Sequence, residues 1–103
     1  MKRLNGNRGL YRKVLDAFGQ KCANADAEIT TALQQGDVEL AERLAHTLKG
    51  NGGNLGAKRL QQAALALESA IKGRQACKEE LERFSAELQR VIAAIPALLR
   101  RLE

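Results

Sequence analysis

His46 is the one histidine in this 103-residue chain, and it is followed by Lys49, Gly50 and Gly53 at three, four and seven residues. On a helix those positions surround the imidazole on one face. An imidazole beside an ammonium suits phosphoryl chemistry: a ring nitrogen can accept the group, and a nearby cation stabilises the charged equatorial oxygens. Other uses of histidine fit less well. A general base needs a pocket, a substrate-orienting group and exclusion of water. A zinc site needs more ligands at close spacing. Cys22 and Cys77 form no CxxC pair and read as reduced, partly buried thiols, so no metal site is expected.

Whether His46 can act depends on the direction it faces. At about 100° per residue, Leu40, Leu44, Leu48 and Leu55 cluster on one side, with Ala41 and Ala45 at the edge. That side reads as the core face, and His46 falls about 180° from its centre. Lys49, Gly50 and Gly53 share the outward face. Gly50, Gly52 and Gly53 each cost about 1 kcal/mol relative to alanine in a helix interior. Together they forgo roughly 3 kcal/mol of a typical stability of about 5–15. An exposed face has little internal use for glycine, but it needs glycine where a partner must come close. The pattern describes an imidazole on a bare shelf with one cation beside it.

The elements that must carry this shelf are helical. Hydrophobic residues make up 45% of the chain, and Tyr11, Phe18 and Phe84 are its only aromatics, a balance that favours helix packed on helix. One domain, 1–103, accommodates the length. The first segment opens after Asn7 as N-cap and carries Leu10, Val14, Leu15 and Phe18. Its pattern weakens at Gly19 to Asn24 and resumes through Ile29 and Leu33, which fits one kinked helix or two. Gly36 stops it, and Asp37 caps the histidine segment, Val38 to about Leu55. Gly56 is placed as a left-handed cap before Lys58 to Lys72, whose stripe is Leu60, Ala64, Leu67 and Ile71, and Gly73 ends that segment. The last begins near Lys78, and Pro96 either kinks it or separates a final turn. Short connections make the expected fold all-α: an antiparallel up-down four-helix bundle, with room for a short extra helix at either end.

"AHTLKGNGGNLGA", Ala45 to Ala57, resembles the signature of the histidine-containing phosphotransfer (HPt) domains of bacterial two-component phosphorelays. "GNRGLYRKVLDAF", "ALQQGD" and "LQQAALALESAIKG" extend the resemblance over nearly the whole chain. The resemblance implies a helical bundle whose exposed histidine exchanges a phosphoryl group with aspartates of receiver domains. It makes His46 the phosphoacceptor, with Lys49 holding the phosphoryl oxygens and Gly50 giving the receiver room. By register from the histidine, the ring-orienting Glu or Gln of the family falls on Glu68. A carboxylate there would fix the tautomer and leave the other ring nitrogen, Nε2 by analogy, free to attack. Glu68 could instead pair with Lys72, four residues on. Asn51 and Gly52 stand where the family more often has Ser or Ala.

The implied role is that of a carrier, not an enzyme: the chain has neither a glycine-rich nucleotide loop nor a kinase signature. No bound cofactor is expected, Mg²⁺ belonging to the partner receiver. That partner would be the receiver of a response regulator or of a hybrid sensor kinase, docking around Gly50, Gly53 and Arg43. A monomer is expected, without nucleic-acid or membrane contact, working in the cytoplasm either alone or as the end of a membrane-bound hybrid kinase. The formal net charge of +5 also allows a small basic nucleic-acid-binding bundle. Basic residues spread through every segment and scarce stacking aromatics weigh against it. A purely structural adaptor leaves the glycines unexplained.

Overall fold

A computed structural model of the chain describes residues 2–101, with side chains from residue 9 on, as five helices. They are α1 (Lys2–Lys21), α2 (Ala25–Gln34), α3 (Val38–Leu55), α4 (Lys58–Lys72) and α5 (Lys78–Arg101). Helices α2 to α5 build the antiparallel bundle, and α1 is the extra helix, packed on α5 and α3. The described molecule is a rod of 45 × 19 × 19 Å. None of its helices is long and apolar enough to cross a membrane.

Three of the turns share one hydrogen-bond pattern, in which the two residues after a helix return to carbonyls of its last turn. After α2, Gly36 N–H donates to Leu33 and Asp37 N–H to Ala32. After α3, Gly56 N–H donates to Gly53 and Ala57 N–H to Gly52. Gly36 and Gly56 take the left-handed φ values, 78° and 75°, that this pattern requires. After α4 the left-handed residue is Arg74, φ 53°, while Gly73 keeps a right-handed φ of −76°. Asp37 then caps α3, its carboxylate accepting from Leu40 N–H at 3.2 Å.

The first segment resolves into two helices, broken at residues 22–24. Asn7 is not its cap, since α1 already runs from Lys2 and Asn7 lies inside it. Once Leu15 and Phe18 anchor the helix in the core, extending it backwards needs propagation only, which is far easier than nucleation. Leu10 is 62% exposed, outside the core assigned to it. Pro96 does not end α5, which continues to Arg101. The proline removes one helical N–H bond, but Ile95 is buried and Leu98 and Leu99 pack on the core. Arg12 of α1 also donates to the Leu99 carbonyl at 3.2 Å, tying that last turn down.

Phe84, Leu15, Ile29, Leu60, Leu67 and Leu88 are the largest fully buried side chains. Burying each contributes about 1.5–3 kcal/mol against the chain entropy lost on folding. On α3 the buried line is Ala41, Ala45, Leu48 and Gly52. Leu40, Leu44 and Leu55, read as its centre, are only partly buried flanks. The smaller residues face inward because they let α3 lie close against its neighbours. His46 is consequently about 130° from the buried line instead of opposite it, still outside the core but nearer the α4 side.

The left-handed caps set a direction for stability. Gly56→Ala should destabilise by about 1–2 kcal/mol, and Arg74→Gly should stabilise by about 1 kcal/mol, both through relief or creation of strain at positive φ. Urea unfolding of the two variants measures both shifts.

Candidate functional site

The two-residue turn at Gly56–Ala57 folds α4 back along α3, and Gly52 is the point of closest approach. A Cβ there would lie 3.3 Å from the Gln61 backbone nitrogen and 3.4 Å from Leu60 Cγ. That register brings the middle of α3 level with the last turns of α4, so His46 meets Glu68. His46 Nδ1 lies 2.8 Å from Glu68 Oε2. Lys49 Nζ is 3.1 Å from Oε1, and Lys72 Nζ is 3.7 Å from Oε2. One carboxylate thus gathers an imidazole and two ammoniums.

Exposure divides sharply across this cluster. The His46 side chain is 64% exposed, whereas that of Glu68 is 5% exposed. A buried carboxylate is stable only when paired and hydrogen-bonded. Burial pushes the Glu68 carboxyl up, but hydrogen bonds from Lys49 and His46 and the charges beside it outweigh burial. The net result lies below the ordinary carboxylate range. Because an ionised carboxylate only accepts, the ring nitrogen facing it must carry the hydrogen. Nδ1–H donates, and Nε2 keeps its lone pair. Nε2 has no hydrogen-bond partner among the described residues. The ring can therefore act as a nucleophile through one defined atom, on the open side of the helix.

The remaining expected residues separate into two groups. Gly50 is exposed, with nothing within 4 Å of where a Cβ would be. It is the open part of the shelf. Gly53 is not: a Cβ there would lie 2.7 Å from Gln61 Nε2, because that side chain folds over it. Gly52 serves the approach of α4, where the Gln61 backbone and Leu60 leave little room. The neighbour at Gly53 is instead the end of the exposed Gln61 side chain, and a helical wheel of α3 alone had no means of placing either. Arg43 borders a shallow depression with His46, Glu68 and Lys72, closed on its other side by Glu39 and Glu42. Lys49 is engaged with Glu68 on the interior side and does not border the depression.

Two residues take a place beyond the one that sequence reasoning gave them. Lys72 joins the cluster along with His46, so its pairing with Glu68 adds to the histidine contact and does not replace it. Its spacing of four from Glu68 was the available signal. Asn51 donates through Nδ2 to Cys22 Sγ at 3.5 Å, linking α3 to the break between α1 and α2. Burial raises the Cys22 thiol above its ordinary value, which keeps it protonated and unreactive. Both cysteines are free. Among the described residues, no group of three or more His, Cys, Asp or Glu could hold a metal ion.

The sequence profile of the Hpt domain matches residues 13–97, from α1 through Pro96 to the last turn of α5. The chain belongs to the Hpt domain family. Hpt domains serve phosphotransfer in two-component signalling, as carriers rather than kinases, and work with receiver domains. The all-α bundle described above is the architecture of that family. No curated protein and no solved structure matches the chain. In this Hpt domain the matched span contains His46, Lys49, Glu68 and Lys72 together.

The lowered Glu68 carboxyl links the site to pH. Its folded value lies below the unfolded one, so its contribution to stability is complete above the ordinary carboxylate value. That contribution disappears as pH falls through the lowered one. Glu68→Gln should therefore be less stable than the parent at neutral pH, with the gap closing on acidification. Urea midpoints of both proteins across pH 2 to 7, on the order of the carboxylate range, measure this convergence.

Proposed function

We propose that His46 is the phosphoacceptor of this domain and that its Nε2 exchanges a phosphoryl group with the aspartate of a receiver domain. The observation that carries this reading is the imidazole 64% exposed on α3 while its Nδ1 is held by a carboxylate 5% exposed. In the forward step the Nε2 lone pair attacks phosphorus as the P–O bond to the receiver aspartate breaks. The electron pair leaves on the aspartate carboxylate. Nδ1 keeps its hydrogen, the ring gains positive charge, and the Glu68 carboxylate opposite it stabilises that charge. The reverse step returns the group to the aspartate.

Partner and chain divide the requirements. The receiver supplies the aspartate and the Mg²⁺ beside it. This chain supplies the nucleophile, its orientation and a clear approach at Gly50. Arg43, exposed and next to the ring's depression, is suited to meet an acidic receiver face. Lys49 contributes from its clamped position on Glu68, keeping that carboxylate ionised and adding positive charge near the ring. Gly53 comes within a receiver's reach only as the exposed Gln61 side chain swings aside. Under this reading the domain works as a monomeric cytoplasmic carrier, either free-standing or attached to a hybrid sensor kinase.

Incubation with a phosphorylated receiver and Mg²⁺ should place an acid-labile, base-stable label on this chain, and His46→Gln should abolish it. A label that persists in His46→Gln, or none on the parent with any receiver of a suitable host, rejects the assignment. A second expectation separates stability from docking. Gly50→Ala should raise stability by about 1 kcal/mol, the helix preference of alanine over glycine. A bulky Gly50→Gln should slow transfer from the receiver while leaving the fold intact. Urea unfolding and transfer rates, measured on the same preparations, test the pair.

A further inference from the structure

The Glu68 cluster holds more cations than its carboxylate can bind closely. Oε1 is taken by Lys49 at 3.1 Å. Oε2 accepts from His46 Nδ1 at 2.8 Å, leaving Lys72 at 3.7 Å from the same atom. The first two distances are those of hydrogen bonds, whereas the third is an ion pair held by charge alone. The lysines also differ in exposure, Lys49 being 29% and Lys72 58% exposed. Moving Lys49 would strip a buried carboxylate oxygen of its closest cation, which is costly. Moving Lys72 leaves both oxygens satisfied. Lys72, not Lys49, borders the depression that contains the His46 ring. Glu39 and Glu42 border it too, and Arg43 alone offsets only part of their repulsion of an arriving phosphoryl group, so a second cation is needed there.

From this we infer a division of labour between the two lysines: Lys49 is the fixed clamp of Glu68, and Lys72 is the mobile cation that binds the phosphoryl oxygens on His46 Nε2. The inference rests on His46 being the phosphoacceptor and departs from the expectation that Lys49 holds the phosphoryl group. Phosphorylation brings about two negative charges to the ring. Lys72 pivots toward them on its four-carbon stem, exchanging a loose contact with Oε2 for direct contacts to the phosphoryl oxygens. Glu68 stays bound to Lys49 and Nδ1 throughout, so the ring does not turn.

The test uses the whole chain and phosphoramidate, a small donor that needs no receiver. Its P–N bond breaks as the P–Nε2 bond forms, and it leaves as ammonia after taking a proton from water. Phosphohistidine formation and decay are followed by ³¹P NMR in the parent, Lys72→Gln, Lys72→Arg and Lys49→Gln, with His46→Gln as the zero. Urea unfolding is run on each. Lys72→Gln should form phosphohistidine about tenfold more slowly, or lose it about tenfold faster, as expected for losing one contact to a charged group. Its stability should be unchanged, and Lys72→Arg should come within about twofold of the parent. Lys49→Gln should instead lose folding stability, with a smaller change in the phosphohistidine kinetics. If Lys72→Gln matches the parent while Lys49→Gln carries the kinetic loss, the division of labour is overturned and His46 keeps its role. If the parent forms no phosphohistidine, both are overturned.

Discussion

The structure depends on keeping one carboxylate charged where water barely reaches it. Glu68 is 5% exposed at its side chain, and an unpaired carboxylate there would cost several kcal/mol. Lys49 and His46 remove that cost, and both come from the facing helix. The pairing therefore constrains the register of α3 against α4 as well as the local chemistry. A slide of one residue would turn Glu68 away from both partners and leave it buried alone. The same constraint determines the ring: because Glu68 accepts, Nδ1 must donate, and the free lone pair belongs to Nε2. The register of the two helices and the identity of the nucleophilic atom both follow from this one carboxylate.

Glycine reconciles this tight interior with an open exterior, by two different means. At Gly52 it removes a side chain that would press on Leu60 and the Gln61 backbone, so α4 can lie close enough for Glu68 to reach the imidazole. At Gly50 no contact among the described residues accounts for its absence of a side chain, and it costs about 1 kcal/mol of helix preference. Three glycines in four positions look like one feature in the sequence. In the fold, Gly52 belongs to the packing of the site, Gly50 to its approach, and Gly53 lies under the end of the Gln61 side chain.

Much of this was legible because helices are local. The spacing of Leu60, Ala64, Leu67 and Ile71 identifies the buried face of α4, and Gly36, Asp37 and Gly56 act at the helix ends where their chemistry puts them. His46 could be placed outside the core for the same reason. What was not legible depends on a neighbour. The leucines of α3 outweigh its alanines on any hydrophobic scale, yet Ala41 and Ala45 are the fully buried residues, because the space there is set by the surrounding helices. Gly53 looked open until Gln61 covered it. Lys49 looked free to serve the histidine, since its position on α3 says nothing about a buried acid on α4. Arg74 in place of Gly73 as the left-handed residue depends on one residue of phase at the end of α4, finer than an apolar pattern can fix.

A carrier faces a restriction that an enzyme does not. Interactions that stabilise the phosphorylated ring as strongly as the transition state would slow the group's departure, because only differential stabilisation accelerates a step. A cation fixed against the phosphoryl oxygens would tend to trap the group, whereas no cation at all would leave its charge uncompensated beside Glu39 and Glu42. Tight support behind the ring combined with loose charge in front of it meets both demands. Glu68, itself held by Lys49, holds Nδ1. On the phosphotransfer reading, the compensation on the Nε2 side comes from exposed, flexible side chains that a docking receiver can displace. The difference between a half-buried 3.1 Å ion pair and an exposed 3.7 Å pair on the same carboxylate is then what permits transfer in both directions.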